Sequence, residues 1–261
     1  MHRTELNKYK PKVINYKRAR RKLVGWSAIF IFITYIGTQL ISGFVAGAGL
    51  AIFFGIKEQE KLQLVLKEFT LHILIFSLLT SALIMILLSL KFGKGLIKDR
   101  TPTGIALNAG GISNVFFGTF LGILIALLYT SIALFIFPPA TQQEVGPITE
   151  LLLTPGNTRI FWIFMALIFA PPVEEFLFRG VILAGLTYSR GVVFGSIITT
   201  ILFISIHTFE AIHYLPAFIG ISLIAIATLY LRLKYRALGP CVGAHFGYNL
   251  IIALGAILMS Q

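Results

Sequence analysis

The sequence predicts an all-α, polytopic membrane helix bundle of about seven transmembrane helices, and three observations carry that expectation. Of the 261 residues, 57% are apolar and only 12% are charged, about half the charged share of a soluble domain. Apolar stretches long enough to cross a bilayer recur along the whole chain. The net charge of +12 is unevenly placed, with Lys and Arg gathered in the N-terminal tail and in alternate loops. So little polar surface cannot cover a water-soluble globule, which argues against a soluble enzyme and against a disordered chain. The single cysteine, Cys241, excludes an internal disulfide framework and a Cys-based zinc ribbon.

Residues 1–22 hold nine Lys/Arg and one acid, Glu5. An apolar run begins directly behind them, so they read as a basic cytoplasmic tail against anionic lipid, with no nucleic-acid partner. Ala46-Gly47-Ala48 resembles a signal-peptide cleavage site. However, the run Leu23–Val45 exceeds the roughly 7–15 residues of a signal h-region, so it is kept as a span. Spans are expected near 24–54, 69–90, 112–137, 159–188, 191–209, 214–231 and 238–259. The first is long and Gly-rich enough to break into a span plus a re-entrant or interfacial piece. The fourth contains Pro171-Pro172, which should end or kink its helix.

Loop charge sets the orientation. Of 22 Lys/Arg, 17 fall in segments 1–22, 91–111, 189–190 and 232–237. Four (Lys57, Lys61, Lys67 and Arg159) fall on the other side, and Arg179 is left inside a span. This bias predicts a cell-membrane, multi-pass protein with a cytoplasmic N-terminus and an outside C-terminus, and hence an odd number of spans. An eighth span would need re-entrant geometry. The chain divides into the tail 1–22, N-terminal transmembrane helices over 23–158, and a transmembrane core over 159–261. Gly43-x-x-x-Gly47 and Gly118-x-x-x-Gly122 fit close helix packing, and Gly93-Lys94-Gly95 is a plain turn.

The acids mark the site. Of ten Asp/Glu, only Glu174 and Glu175 lie deep in a span, within Ala170-Pro-Pro-Val-Glu-Glu-Phe-Leu-Phe-Arg179. Each buried charge costs roughly 2.5–3.5 kcal/mol on an insertion scale, so two adjacent ones without a role are improbable. Glu175 to Arg179 is i,i+4 in the favourable order and makes a structural ion pair. Glu174 points about 100° away round the helix and needs another partner. Phe203-x-x-x-His207 supplies an imidazole on the fifth span, and His245-x-x-x-Asn249 puts two polar groups on one face of the last. At 1.5 Å per residue, Glu174 and His207 lie roughly 21 and 24 Å from the inner ends of their helices and His245 roughly 10–16 Å. Tilt and projecting ends must bring them level. His2, His72 and His213 sit in the tail or near span ends and are given no role.

Glu-Glu-x-x-x-Arg (174–179), Phe-x-x-x-His (203–207) and His-x-x-x-Asn (245–249), in that order on successive apolar segments, resemble the three motifs of the CAAX protease and bacteriocin-processing (CPBP) family of intramembrane endopeptidases, including type II CAAX prenyl proteases. The resemblance covers about residues 159–259. It implies hydrolysis of a peptide bond in a membrane-associated peptide or lipidated protein, at a bilayer-embedded site.

The chemistry can be read from the residues as well. Amide hydrolysis needs an activated water, a proton donor to the leaving nitrogen and donors facing the oxyanion. Glu174 with His207 can hold and deprotonate the water, and His245 with Asn249 can donate to the oxyanion. Glu175–Arg179 fixes the helix, and Phe203 supports the site. The resemblance implies the same roles. Ser205 has no base in register, and a His-Glu-x-x-His zinc helix is absent. No cofactor is required, although Glu174, His207 and His245 could form a one-carboxylate, two-histidine zinc site. Two other classes stay open: a non-catalytic immunity or scaffold membrane protein, and an ion- or proton-coupled transporter. A transporter should show an internal repeat and polar residues spread along a pathway, and the first three spans show neither.

Overall fold

The computed structural model describes residues 23–136, 156–208 and 215–259. The basic tail, Glu144, Glu150, Glu210 and His213 lie outside the described residues. Within them the chain forms helices and no strand, as expected where backbone groups must pair inside their own segment. The helices are α1 (Gly25–Phe53), α2 (Gln59–Glu68), α3 (Thr70–Gly93), α4 (Ile112–Ile136), α5, α6 (Val192–Ile206), α7 (Leu215–Tyr235) and α8 (Gly239–Met259). Helix α5 runs through Asn157–Phe164, Met165–Phe169, Ala170–Glu175, Phe176–Ile182 and Leu183–Arg190, and its second and fourth stretches are π-helical.

Six of these, α1, α3, α4, α5, α7 and α8, are long and apolar enough to cross a membrane. The fifth expected span is shorter than the sequence suggests. Helix α6 has 15 residues, about 22 Å at 1.5 Å each, against a hydrocarbon core of about 30 Å. It stops at His207, where polar side chains satisfy the last carbonyls: His207 Nδ1 donates to Phe203 O at 2.8 Å and Thr208 Oγ1 to Ser205 O at 2.7 Å. The first span does not break. Its glycines sit within one 29-residue helix, followed by the short amphipathic α2, whose Leu62 and Leu66 face α1 across an apolar groove.

The prolines do not end α5 either. Proline removes an N–H and crowds the carbonyl one turn back. Here the turn before Pro171 is wound as the π-helical Met165–Phe169, and the chain continues past it. Such widened turns leave carbonyls open to donors from elsewhere.

Helices α4 and α8 touch backbone to backbone. A Cβ on Gly118 or Gly122 would collide with the carbonyls of Pro240 and Ala244, and one on Gly243 or Gly247 with those of Val115 and Thr119. Gly118-x-x-x-Gly122 is therefore a helix-packing motif, and it fixes the register of the helix that carries His245 and Asn249. Gly43-x-x-x-Gly47 does not pair two spans this way; Gly47 meets only the Leu66 side chain of α2 at close range.

Candidate active site

Three helices bring the sequence motifs together. Glu174 and Glu175 lie on α5 between its two π-helical stretches, His207 caps α6, and His245 lies in the second turn of α8. Despite their different depths along the chain, they converge. Glu174 Oε2 stands 3.7 Å from His207 Nε2 and 3.9 Å from His245 Nε2. Both separations exceed hydrogen-bond length, and this buried oxygen has no hydrogen-bond partner in the protein. The Glu174 and His207 side chains keep 17% and 22% of their surface, so the site is reachable. Glu175 keeps none.

The two acids thus face different groups, as their angular separation requires. Glu175 Oε2 lies 3.4 Å from Arg179 Nε, the pair expected from the spacing. Its other oxygen meets His245 Nδ1 at 3.0 Å, a contact between helices that spacing along one helix cannot reveal. Glu175 therefore aims the His245 ring so that Nε2 points toward Glu174. The His207 ring is set differently: its Nδ1 donates to the Phe203 carbonyl, so the neutral ring presents an unprotonated Nε2 to Glu174. Phe203 is buried with its ring 4.7 Å from that of His207, 5.8 Å from that of His245 and 4.3 Å beneath the Arg179 guanidinium. It is the apolar floor under both imidazoles. Asn249 Nδ2 donates to Ala166 O at 2.9 Å, tying α8 to the first π-helical stretch of α5 and leaving the second amide N–H for other use.

Sequence reasoning missed the contribution of α7. Arg179 Nη2 donates to Ala225 O at 2.9 Å and to Thr228 Oγ1 at 2.5 Å. One turn on, Arg232 is fully buried, which corrects its assignment to an inner loop. Its Nε donates to Arg179 O at 3.1 Å, and its Nη2 to Thr101 O and Gly104 O at 3.1 and 2.6 Å. Among the described residues no carboxylate pairs with it; carbonyls, one of them in the π-helical stretch, take its protons. The i,i+4 spacing of Thr228 and Arg232 was the available signal.

The donor types of Glu174, His207 and His245 suit zinc. Among the described residues, however, no group of three or more His, Cys, Asp or Glu side chains is arranged to hold a metal ion. The chemistry below is therefore assigned to the side chains alone.

Residues 156–251 match the family model for type II CAAX prenyl endopeptidases, Rce1-like. The similarity is confined to this stretch, somewhat over a third of the chain. The stretch contains all three motifs and ends two residues beyond Asn249. No curated protein matches the chain, and no solved structure does. The matched family is one of endopeptidases, and the matched stretch lies in a bundle of helices long and apolar enough to cross a membrane.

Proposed function

We propose that the protein is an intramembrane endopeptidase that cuts a membrane-tethered peptide with a water activated by Glu174 and His207. The observation that carries this reading is the Glu174 oxygen, buried, without a hydrogen-bond partner, and flanked by two imidazole nitrogens. Both the carboxylate and the neutral His207 Nε2 are acceptors, which suits them to take the two protons of one water and leave its oxygen directed at a carbonyl carbon. Attack forms the C–O bond and passes a proton to the Glu174–His207 pair, and the substrate carbonyl becomes an oxyanion. His245 Nε2 and the free N–H of Asn249 supply donors to that oxyanion. In this role His245 carries a proton on each nitrogen, one of them held by Glu175. The proton taken from water then goes to the leaving nitrogen as the C–N bond breaks. Glu175, Arg179 and Phe203 hold the machinery in place.

The substrate class is a peptide kept at the membrane by a lipidated C-terminus or by an apolar leader. Incubating the purified protein with peptides of both kinds and locating the cut by mass spectrometry tests this. A single cut that disappears in Glu174→Gln is expected; no cut in either kind, or one indifferent to Glu174, overturns it. The steps need no cofactor, so activity should survive EDTA treatment and dialysis. Loss of activity that zinc restores would overturn the metal-free reading.

Charge also orients the bundle. We place the end bearing Lys91, Lys94, Lys98 and Arg190 in the cytoplasm and the α2 end outside. In a Cys241→Ala background, a cysteine at Lys98 should be labelled only after permeabilisation and one at Glu60 in intact cells. Labelling at position 98 from outside would reverse the topology.

A further inference from the structure

One face of α3 changes character abruptly near its end. Leu79, Leu83, Leu87 and Leu90 follow one another at steps of three and four residues and are all exposed, while Ser77, Ser81, Met85 and Ser89 on the opposite side are buried. The exposed row continues as Lys91, Lys94 and Lys98. From Leu79 to Leu90 the helix rises about 16 Å, close to the roughly 15 Å of hydrocarbon in one leaflet of a bilayer. Apolar surface therefore gives way to positive charge over the same depth at which lipid tails give way to phosphates.

The basic end is concave. Leu90, Lys91, Lys94, Gly95, Ile97 and Lys98 line a hollow of about 780 Å³, where the chain leaves α3 through the tight turn Lys94–Leu96. Gly95 puts no side chain into it, and a Cβ there would meet nothing within 4 Å. Among the described residues no carboxylate pairs with any of the three lysines. Asp99, next in the chain, accepts instead from Thr101 N at 2.9 Å. The negative end of the helix dipole amounts to about half a charge, which three ammonium groups outweigh.

We propose that this hollow binds the phosphate of an anionic phospholipid whose acyl chains lie along Leu79–Leu90. Charge selects the headgroup: a zwitterionic lipid would bring a further cation to three that are already unpaired, and an anionic lipid does not. The apolar row leading into the hollow selects a lipid over free phosphate, which has no use for it. The site shares no residue with the candidate active site and does not depend on the cleavage chemistry.

The test places the full-length protein in phosphatidylcholine nanodiscs with a minor share of photoreactive phosphatidylglycerol, and locates crosslinked peptides by mass spectrometry. Crosslinks within residues 79–98 are expected. The lipid fraction giving half-maximal labelling there should rise about fivefold with each of Lys91→Gln, Lys94→Gln and Lys98→Gln. Gly95→Leu keeps every charge but fills the hollow, so it should abolish this labelling with an unchanged thermal melt. Crosslinks to the basic tail fall on other peptides and should not respond to these variants. Equal labelling of residues 79–98 by photoreactive phosphatidylcholine, or labelling that Gly95→Leu leaves intact, overturns the site and leaves only the general pull of a basic surface. Displacement of the lipid by millimolar inorganic phosphate would show that the hollow takes free phosphate, and overturns the lipid assignment. Should Gly95→Leu not fold, the lysine variants decide, and an unchanged half-maximal fraction in all three overturns the proposal.

Discussion

Glu174→Gln is expected to abolish peptide cleavage and to leave the melting temperature of the purified protein nearly unchanged. The amide has the shape of the carboxylate but cannot accept a proton from water, a role typically worth about 10²–10⁴-fold. The folded state should tolerate the change because Glu174 Oε2 makes no hydrogen bond that would be lost. The two imidazoles that flank it stand off at 3.7 and 3.9 Å. Cleavage rates and thermal melts on the same preparation check both halves of the expectation. Cleavage within a few-fold of wild type would remove Glu174 from the chemistry.

Glu175→Gln should do the opposite to the fold. It strips the charge partner from Arg179, whose side chain is fully buried, and breaking one side of such a pair typically costs about 3–5 kcal/mol. The melt should drop accordingly and partly recover in Glu175→Asp. Spacing along α5 alone would have activity fall only in step with the folded fraction. The 3.0 Å contact to His245 Nδ1 adds a second effect. A glutamine can turn its carbonyl toward His245 or toward Arg179, not both, so cleavage per folded molecule should fall as well. Glu175→Gln that is fully folded and dead, beside Glu174→Gln that still cuts, would show that the two acids have exchanged roles.

The contrast between these variants shows where the sequence was legible. The spans could be read because a helix in lipid must be apolar over its whole length, and α1, α3, α4 and α8 lie close to the expected stretches. The ion pair Glu175–Arg179 could be read because both residues lie on one helix at a fixed angle. The bond from Glu175 to His245 could not, since it depends on how α5 and α8 meet 70 positions apart in the chain. Helix α6 was overestimated because hydropathy does not register a stop made by His207 and Thr208 turning back on their own carbonyls. Pro171-Pro172 signalled a disturbance without its form: the helix widened instead of ending. Arg232 was misplaced because a basic residue near a span end reads as solvated, and only the folded chain shows the carbonyls that receive its protons.

Helix α7 holds no motif residue, yet it grips Arg179 twice: Thr228 takes the guanidinium and Arg232 the main-chain carbonyl. Two holds on one residue from a neighbouring rod act as an angular clamp. They set the rotational phase of α5 at the point where its winding is loosest, and so decide which way the two carboxylates face. A single residue inserted or deleted in α7 between this clamp and the 236–238 turn into α8 would shift the clamp by about 100° against the rest of the bundle. Both acids would be carried with it, although every motif residue would still be present. Variation that silences such a domain can therefore fall on a helix that never meets the substrate.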